Sequence, residues 1–203
     1  MATVDSSKKA IAVFDLDGTI TNKDTFLEFI RMTHGSVRLY LGFLLNGVSL
    51  LRYFLKNIDN QTFKEIIFSH FYKGYPEADL QQHGATFSKT ILPNICFSKA
   101  LAQLNYHQEN KHQIVILTAS SPIWLAEWCR VNNYLLIGTE YEVENGKITG
   151  KISGKNCYGE EKVHRLLAQF QLTDFSKSYG YGDTKGDQYF LDLMDEGYMR
   201  RFG

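Results

Sequence analysis

AVFDLDGTIT, residues 12–21, decides how the rest of the chain is read. An apolar run from Ala10 to Phe14 ends in two aspartates, Asp15 and Asp17, with a single leucine between them, and Gly18 and Thr19 follow at once. A short apolar run bounded by turn residues predicts a buried strand, so both carboxylates fall in the loop at its carboxyl end. In open α/β sheets that edge is where ligands bind. Gly18 permits a tight backbone passage there, and Thr19 can satisfy loop amides. Taken alone, an Asp-x-Asp pair also fits a solvated acidic turn, so its meaning depends on what stands elsewhere.

A second apolar run, QIVIL (113–117), predicts a further strand, and YLLIGTE (134–140) and KSYGYG (177–182) predict weaker ones. Helical patterns lie between them, PIWLAEWCRV from Pro122 and GEEKVHRLLAQF from Gly159. Alternating strands and helices predict an α/β fold, a Rossmann-like parallel sheet with helices on both faces. EYEVENGKITGKI (140–152) predicts a hairpin turning at Asn145-Gly146. The interval 22–90 reads as helical throughout. The expected organisation is a catalytic core of residues 1–21 and 91–203, interrupted by a helical insertion at 22–90.

Three more stretches carry chemistry. In ILTASSP (116–122), Thr118 ends a strand, Ser120 or Ser121 can cap a helix, and Pro122 suits its first position. A hydroxyl beside free helix amides is a phosphate site, although capping alone accounts for Ser121-Pro122. Lys162 stands in the first turn of the next helix, flanking an expected buried stripe of Val163, Leu166, Leu167 and Phe170. A cation there is disfavoured by about 0.3–1 kcal/mol unless an anion offsets it. Lys155, in the preceding loop, is the second candidate. GYGDTKGD (180–187) places Asp183 and Asp187 after a strand. Asp183 can join the first aspartates around a hard cation such as Mg2+, and Asp187 can cap the helix expected in QYFLDLMDE.

In this order the motifs resemble the haloacid dehalogenase superfamily of phosphatases: Asp-x-Asp-Gly-Thr (15–19), an apolar strand ending in Thr118, Lys162, and Gly-Asp-x-x-x-Asp (182–187). The insertion resembles that superfamily's C1-type cap. TEYEVENGKITGKISGKNCYGEEKV resembles the phosphoserine-phosphatase-like subfamily IB, nearest to its phosphatidylglycerophosphatase-C-like and functionally unassigned members. The resemblance implies a phosphomonoester hydrolase in which Asp15 attacks phosphorus and Asp17 serves as acid and base. It implies Mg2+ held by Asp15, Asp183 and the Asp17 carbonyl, phosphate oxygens held by Thr118 and Lys162, and Asp187 steadying the lysine. Gly18, Ala119 and Asp24 are further implied substrate contacts. Two departures weigh against phosphoserine itself: Gly18 replaces the usual serine, and Asp24 stands where a substrate-binding glutamate is expected. The expected substrate is a small phosphorylated metabolite or a phospholipid head group. The sequence reaches GYMRRFG soon after the fourth motif, so the pattern's final strand and helix are expected to be shortened.

Composition limits the alternatives. Twenty-two basic residues balance 22 acidic ones in 203 residues, which argues against a nucleic-acid protein driven by a positive field. Three separated cysteines, Cys96, Cys129 and Cys157, form no metal-type pair, and no signal peptide is evident, so a reduced, cytoplasmic protein is expected. SVRLYLGFLLNGVSLLRYFLK (36–56) is strongly apolar, but only thirteen charge-free residues separate Arg38 from Arg52, short of the ~20 a spanning helix needs. Leu39, Phe43, Leu50 and Phe54 are expected on one stripe. That stripe either packs on the other insertion helices or rests peripherally on the inner membrane, with Arg38 and Arg52 meeting lipid phosphates. The residues leave two further readings open: a phosphotransferase or mutase using the same site, and a non-catalytic phospho-ligand or membrane-surface binding protein.

Overall fold

The computed structural model describes residues 8–203; positions 1–7 of the expected core segment lie outside the described residues. Chain order is β1 (Ile11–Phe14), α1 (Thr25–His34), α2 (Ser36–Leu45), α3 (Gly47–Phe54), α4 (Asn60–Tyr72), α5 (Glu77–Thr90) and α6 (Ser98–Glu109). There follow β2 (Gln113–Leu117), α7 (Pro122–Val131), β3 (Leu135–Ile137), β4 (Tyr141–Glu144), β5 (Lys147–Ile152), α8 (Glu160–Gln169), β6 (Ser178–Gly182), α9 (Gln188–Leu191) and β7 (Glu196–Met199).

Five strands form one parallel sheet in the order β3-β2-β1-β6-β7. Side chains alternate between its faces, as the two-residue period of a strand requires. Ala12, Phe14, Ile114 and Ile116 join Leu104 of α6 and Trp124 of α7 in one core. Ile11, Val13, Val115 and Leu117 join Leu166 of α8 and Phe190 of α9 in the other. Strands buried on both faces read as continuous apolar runs, and β1 and β2 were conspicuous in the sequence for that reason. The chain builds outward from β1 to β3, then crosses back to lay β6 on the other side of β1. That reversal opens a crevice at the carboxyl ends of β1 and β6.

Helices α1 to α5 lie between β1 and β2 in sequence; α1, α2, α4 and α5 share the first core, and α3 has no buried residue. Phe29 of α1 stacks on Trp124 with ring centroids 5.1 Å apart and meets Phe87 of α5 edge-on at 5.7 Å. The hairpin turns as expected, with Asn145 and Gly146 both at positive φ (50° and 72°). It stands apart from the five-stranded sheet and lies along α4, where Ser69 Oγ donates to the Gly150 carbonyl at 3.1 Å and Glu65 accepts from the Ile152 amide at 3.0 Å.

Several sequence expectations are corrected. Residues 36–56 form two helices, because at Asn46 both the backbone N–H and the side-chain amide donate to the Gly42 carbonyl and end α2. The single stripe therefore does not form: Leu39 is buried, Phe43 and Leu50 are half-buried, and Phe54 is 71% exposed. A Cβ on Gly42 would lie 2.3 Å from the Phe71 ring, so this glycine lets the Leu39–Phe43 side of α2 press onto α4. The helix expected in QYFLDLMDE is only Gln188–Leu191, and β7 forms beyond it, pairing along β6. Its EGYM sequence alternates between half-buried and exposed positions at the sheet edge and offers no apolar run. On α8, Leu167 is 47% exposed and Lys162 takes a place on the buried face. Among the described residues no helix is long and apolar enough to cross a membrane.

A buried histidine supplies a test of this packing. His107 on α6 lies within hydrogen-bond distance of His112 Nδ1 (2.7 Å) and the Tyr181 hydroxyl (2.9 Å). Burial, with His112 and Arg201 nearby, lowers its pKa to about 4, against about 6.5 in an unfolded chain. The unfolded state therefore binds the extra proton. This group's contribution to stability is intact above about pH 6.5 and is lost as pH falls toward about 4. The melting temperature of the wild type should fall more steeply between those values than that of His107→Gln; parallel curves would contradict a neutral, buried ring.

Candidate active site

The site begins where β1 ends. The Asp15 amide donates to the Tyr181 carbonyl at 2.8 Å, carrying the ladder to β6 one residue beyond the strand. The chain then coils around one acceptor: the Leu16 carbonyl receives the amides of Thr19 (3.2 Å), Ile20 (2.7 Å) and Thr21 (2.9 Å). Leu16 itself is fully buried and anchors the loop from within. Gly18 sits at φ 83°, and a Cβ there would lie 2.2 Å from Asp183 Oδ2. A glycine at this position is what lets the Asp183 carboxylate approach.

Asp15 and Lys162 are both buried. Lys162 Nζ donates to Asp15 Oδ1 at 2.5 Å and to Asp187 Oδ1 at 2.6 Å. Burial disfavours the Lys162 charge, but the two carboxylates more than offset that and hold its pKa above the usual lysine value. Burial pushes the Asp15 carboxyl up to about 7 against the pull of Lys162. Burial also opposes ionisation of Asp187, yet Lys162 and the Thr184 donors hold its pKa below the usual range. Asp187 Oδ2 accepts from the Asp183 amide (3.1 Å), the Thr184 amide (2.9 Å) and the Thr184 hydroxyl (3.0 Å). The expected side-chain cap on α9 is therefore not made; the carboxylate closes the 183–187 loop instead.

Carboxylate oxygens of Asp15, Asp183 and Asp187 lie within 4.8 Å of one another. Asp187 is saturated by its own donors, so Asp15 Oδ2 and Asp183 are the oxygens left to a ligand. One hydroxyl, Thr19 Oγ1, lies 3.2 Å from Asp15 Oδ2 and 3.5 Å from Asp183 Oδ1, and its single proton cannot satisfy both. Two under-compensated carboxylates of hard oxygen donors fit a divalent cation such as Mg2+.

The side chain of Asp17 enters a different network and lies outside the carboxylate cluster. Its Oδ1 accepts from the Thr25 amide at 2.7 Å, at the start of α1, and its Oδ2 accepts from Ser120 Oγ at 2.6 Å. Ser120 Oγ is 2.9 Å from Thr25 Oγ1, which receives Trp124 Nε1 at 3.2 Å. An indole N–H only donates, so the two hydroxyls are aligned to point their protons toward Asp17. Burial first, then the charge of Asp24, raises the Asp17 carboxyl to about 6 against these hydrogen bonds.

The other expected residues fall into place around these networks. Thr118 is fully buried; its Oγ1 accepts from the Ser120 amide at 2.9 Å and shapes the 118–121 turn. Ser121 caps α7. Asp24 is exposed and caps α1, its Oδ1 3.0 Å from the Leu27 amide. Lys155 is exposed, and the lysine paired with Asp15 and Asp187 is Lys162. Sequence reading missed the Ser120–Asp17 link, because Ser120 was one of two hydroxyls that each explained a helix cap. It also missed Lys64 of α4, whose Nζ donates to the Ala119 carbonyl at 2.6 Å and to Asn156 Oδ1 at 3.3 Å. A signal for Lys64 exists: it stands three, four and seven residues before the buried Ile67, Phe68 and Phe71, on the apolar line of the helix.

A sheet whose central strand ends in this paired-aspartate loop, with a buried lysine and a second acidic loop closing on it, defines a hydrolase class. The chain belongs to the haloacid dehalogenase-like hydrolases, whose family profile matches residues 12–192. Protein CicA of Caulobacter vibrioides is 31% identical over 194 residues, covering 95% of this chain and 86% of that protein. Among solved structures, a protein of unknown function from Bordetella pertussis Tohama I superposes with a TM-score of 0.78 at 22% identity, covering 95% of this chain and 89% of the other. A phospho-aspartyl intermediate analogue of phosphoserine phosphatase superposes with a TM-score of 0.58 at 16% identity, covering 95% and 86%. These structures share the fold.

Lys162→Met should leave the buried Asp15 and Asp187 carboxylates without their counter-charge, a change that costs roughly 3–5 kcal/mol. Urea unfolding at neutral pH measures it. A loss below about 1 kcal/mol would show that the ion pair does not support the loop ends.

Proposed function

We propose that this protein is a divalent-cation-dependent phosphomonoester hydrolase acting through an aspartyl phosphate on Asp15. The observation that carries the proposal is that two aspartates two residues apart are held in separate networks suited to separate roles. Lys162 occupies Asp15 Oδ1, so Oδ2, touched only by the Thr19 hydroxyl, is the oxygen free to attack phosphorus. Attack there converts one difficult displacement into two easier ones. The Lys162 ammonium, beside the attacking carboxylate, attracts the phosphoryl oxygens and opposes charge build-up on them. Asp17, with a carboxyl raised to about 6, protonates the leaving alcohol and then takes a proton from water for the second displacement. When bound by Asp183, the Asp17 carbonyl and the Asp15 oxygen that does not attack, Mg2+ would supply further neutralisation of phosphoryl charge.

The fold shared with a phospho-aspartyl analogue of phosphoserine phosphatase supports this chemistry, and the subfamily IB pattern of the sequence agrees with it. We assign the helical segment 22–90 the role of a lid that selects the substrate, a small phosphorylated metabolite or a phospholipid head group. Lys64, through Ala119, and Thr25, through Ser120, are contacts by which that segment reaches the 118–121 turn. Three free thiols suit a reducing, cytoplasmic setting.

Asp15→Asn should abolish phosphate release from an aryl phosphate in the presence of Mg2+, with an unchanged circular dichroism spectrum. Unchanged turnover would overturn the proposal, and transfer of phosphate to an added alcohol in place of water would assign a phosphotransferase. Asp17→Asn should slow alkyl phosphates by about 10²–10⁴-fold. Aryl phosphates, whose leaving groups need little protonation, should lose much less in the first step. Equal losses on both would reduce Asp17 to a structural role.

A further inference from the structure

Helices α2 and α3 carry a concentration of uncovered apolar surface. Nine of the seventeen exposed large apolar side chains among the described residues lie between Val37 and Leu55. On α2, Val37, Tyr40, Leu41, Leu44 and Leu45 recur at the spacing of one helical face and are 49–75% exposed. On α3 and the residue that ends it, Val48, Leu51 and Leu55 repeat the pattern and are 58–76% exposed. The opposite side of α2, through Leu39, Gly42 and Phe43, already packs against the body of the molecule. α2 is thus apolar on both sides, where a helix at a protein surface ordinarily turns a polar face to water.

The charges on this surface have one sign. No carboxylate occurs between Glu28 and Asp59. Arg38, Arg52 and Lys56 are exposed, and none takes part in the ion pairs found among the described residues. A second copy of the chain is a poor occupant, because a two-fold contact would bring the same uncompensated cations together. An anionic bilayer surface offers phosphates to the cations and acyl chains to the leucines. Helices of ten and eight residues, about 15 and 12 Å long, are too short to span a bilayer but suited to lie within its interface.

We propose that the α2–α3 face docks this protein peripherally on anionic phospholipid membranes. The docking is independent of the catalytic reading, since none of these residues belongs to the site.

Flotation of the full chain with vesicles tests it without any turnover measurement. The protein should float with phosphatidylcholine vesicles containing about 30% phosphatidylglycerol, less so as NaCl rises from ~0.1 to ~0.5 M, and remain behind with phosphatidylcholine alone. Leu44→Asp/Leu51→Asp should lower vesicle partitioning by about tenfold or more with an unchanged melting temperature, because both side chains face solvent. Arg38→Glu/Arg52→Glu keeps the apolar face and should lose binding to the anionic vesicles as well. Failure to float with anionic vesicles, equal flotation with neutral ones, or binding indifferent to both variant pairs would overturn the proposal. So would a dimer in light scattering that Leu44→Asp/Leu51→Asp dissolves, which would assign the face to a second copy.

Discussion

One buried ammonium holds the carboxyl-end edge of the sheet together. Lys162 reaches from α8 to the carboxylate at the end of β1 and to the carboxylate that closes the loop after β6. Three elements distant in sequence are thereby fixed at the reversal point of the sheet. An ammonium placed there without both partners would carry a large desolvation penalty, and so would either carboxylate without the ammonium. The arrangement is stable only complete, and it tolerates charge reaching the site from outside only where a lone pair is still free. That condition singles out Asp15 Oδ2 and Asp183.

The separation of Asp15 from Asp17 follows from the same economy of donors. Asp15 faces a permanent cation, whereas Asp17 faces hydroxyls and one amide, all neutral. A neutral donor set leaves a carboxyl free to change protonation state without breaking an ion pair. Trp124 and Thr25 extend this donor set into the helical segment, so the environment of Asp17 is built partly from the sheet core and partly from α1.

Much of this was legible in the sequence, and the rest was not for identifiable reasons. β1 and β2 announced themselves because burial on both faces leaves uninterrupted apolar runs. β7 did not, since an edge strand half-exposed to solvent has no such run. Lys162 was read as flanking the α8 stripe because a cation is not expected on it, and helical periodicity alone cannot show that two carboxylates wait there. Lys64 was hidden by the same assumption. For residues 36–56 the apolar character was evident, but a face count assumed one straight helix. The break at Asn46 changed which leucines turn inward.

The Leu16 carbonyl, shared by three amides, has a consequence for how this loop can vary. A strand's side chains alternate between faces, and here the alternation ends in a coil wound on a single oxygen. Asp15 is fixed by the ladder on one side of that oxygen and Asp17 by the coil on the other. The coil offers no solvent-facing side chain to exchange: Leu16, Thr19, Ile20 and Thr21 are buried, and Gly18 is held to glycine by its positive φ and by the approach of Asp183. Adding or removing one residue between positions 15 and 21 would rotate one aspartate out of its network while leaving the other in place. The loop is therefore held in composition by burial and in length by the shared oxygen, and its length is what keeps two identical side chains chemically different.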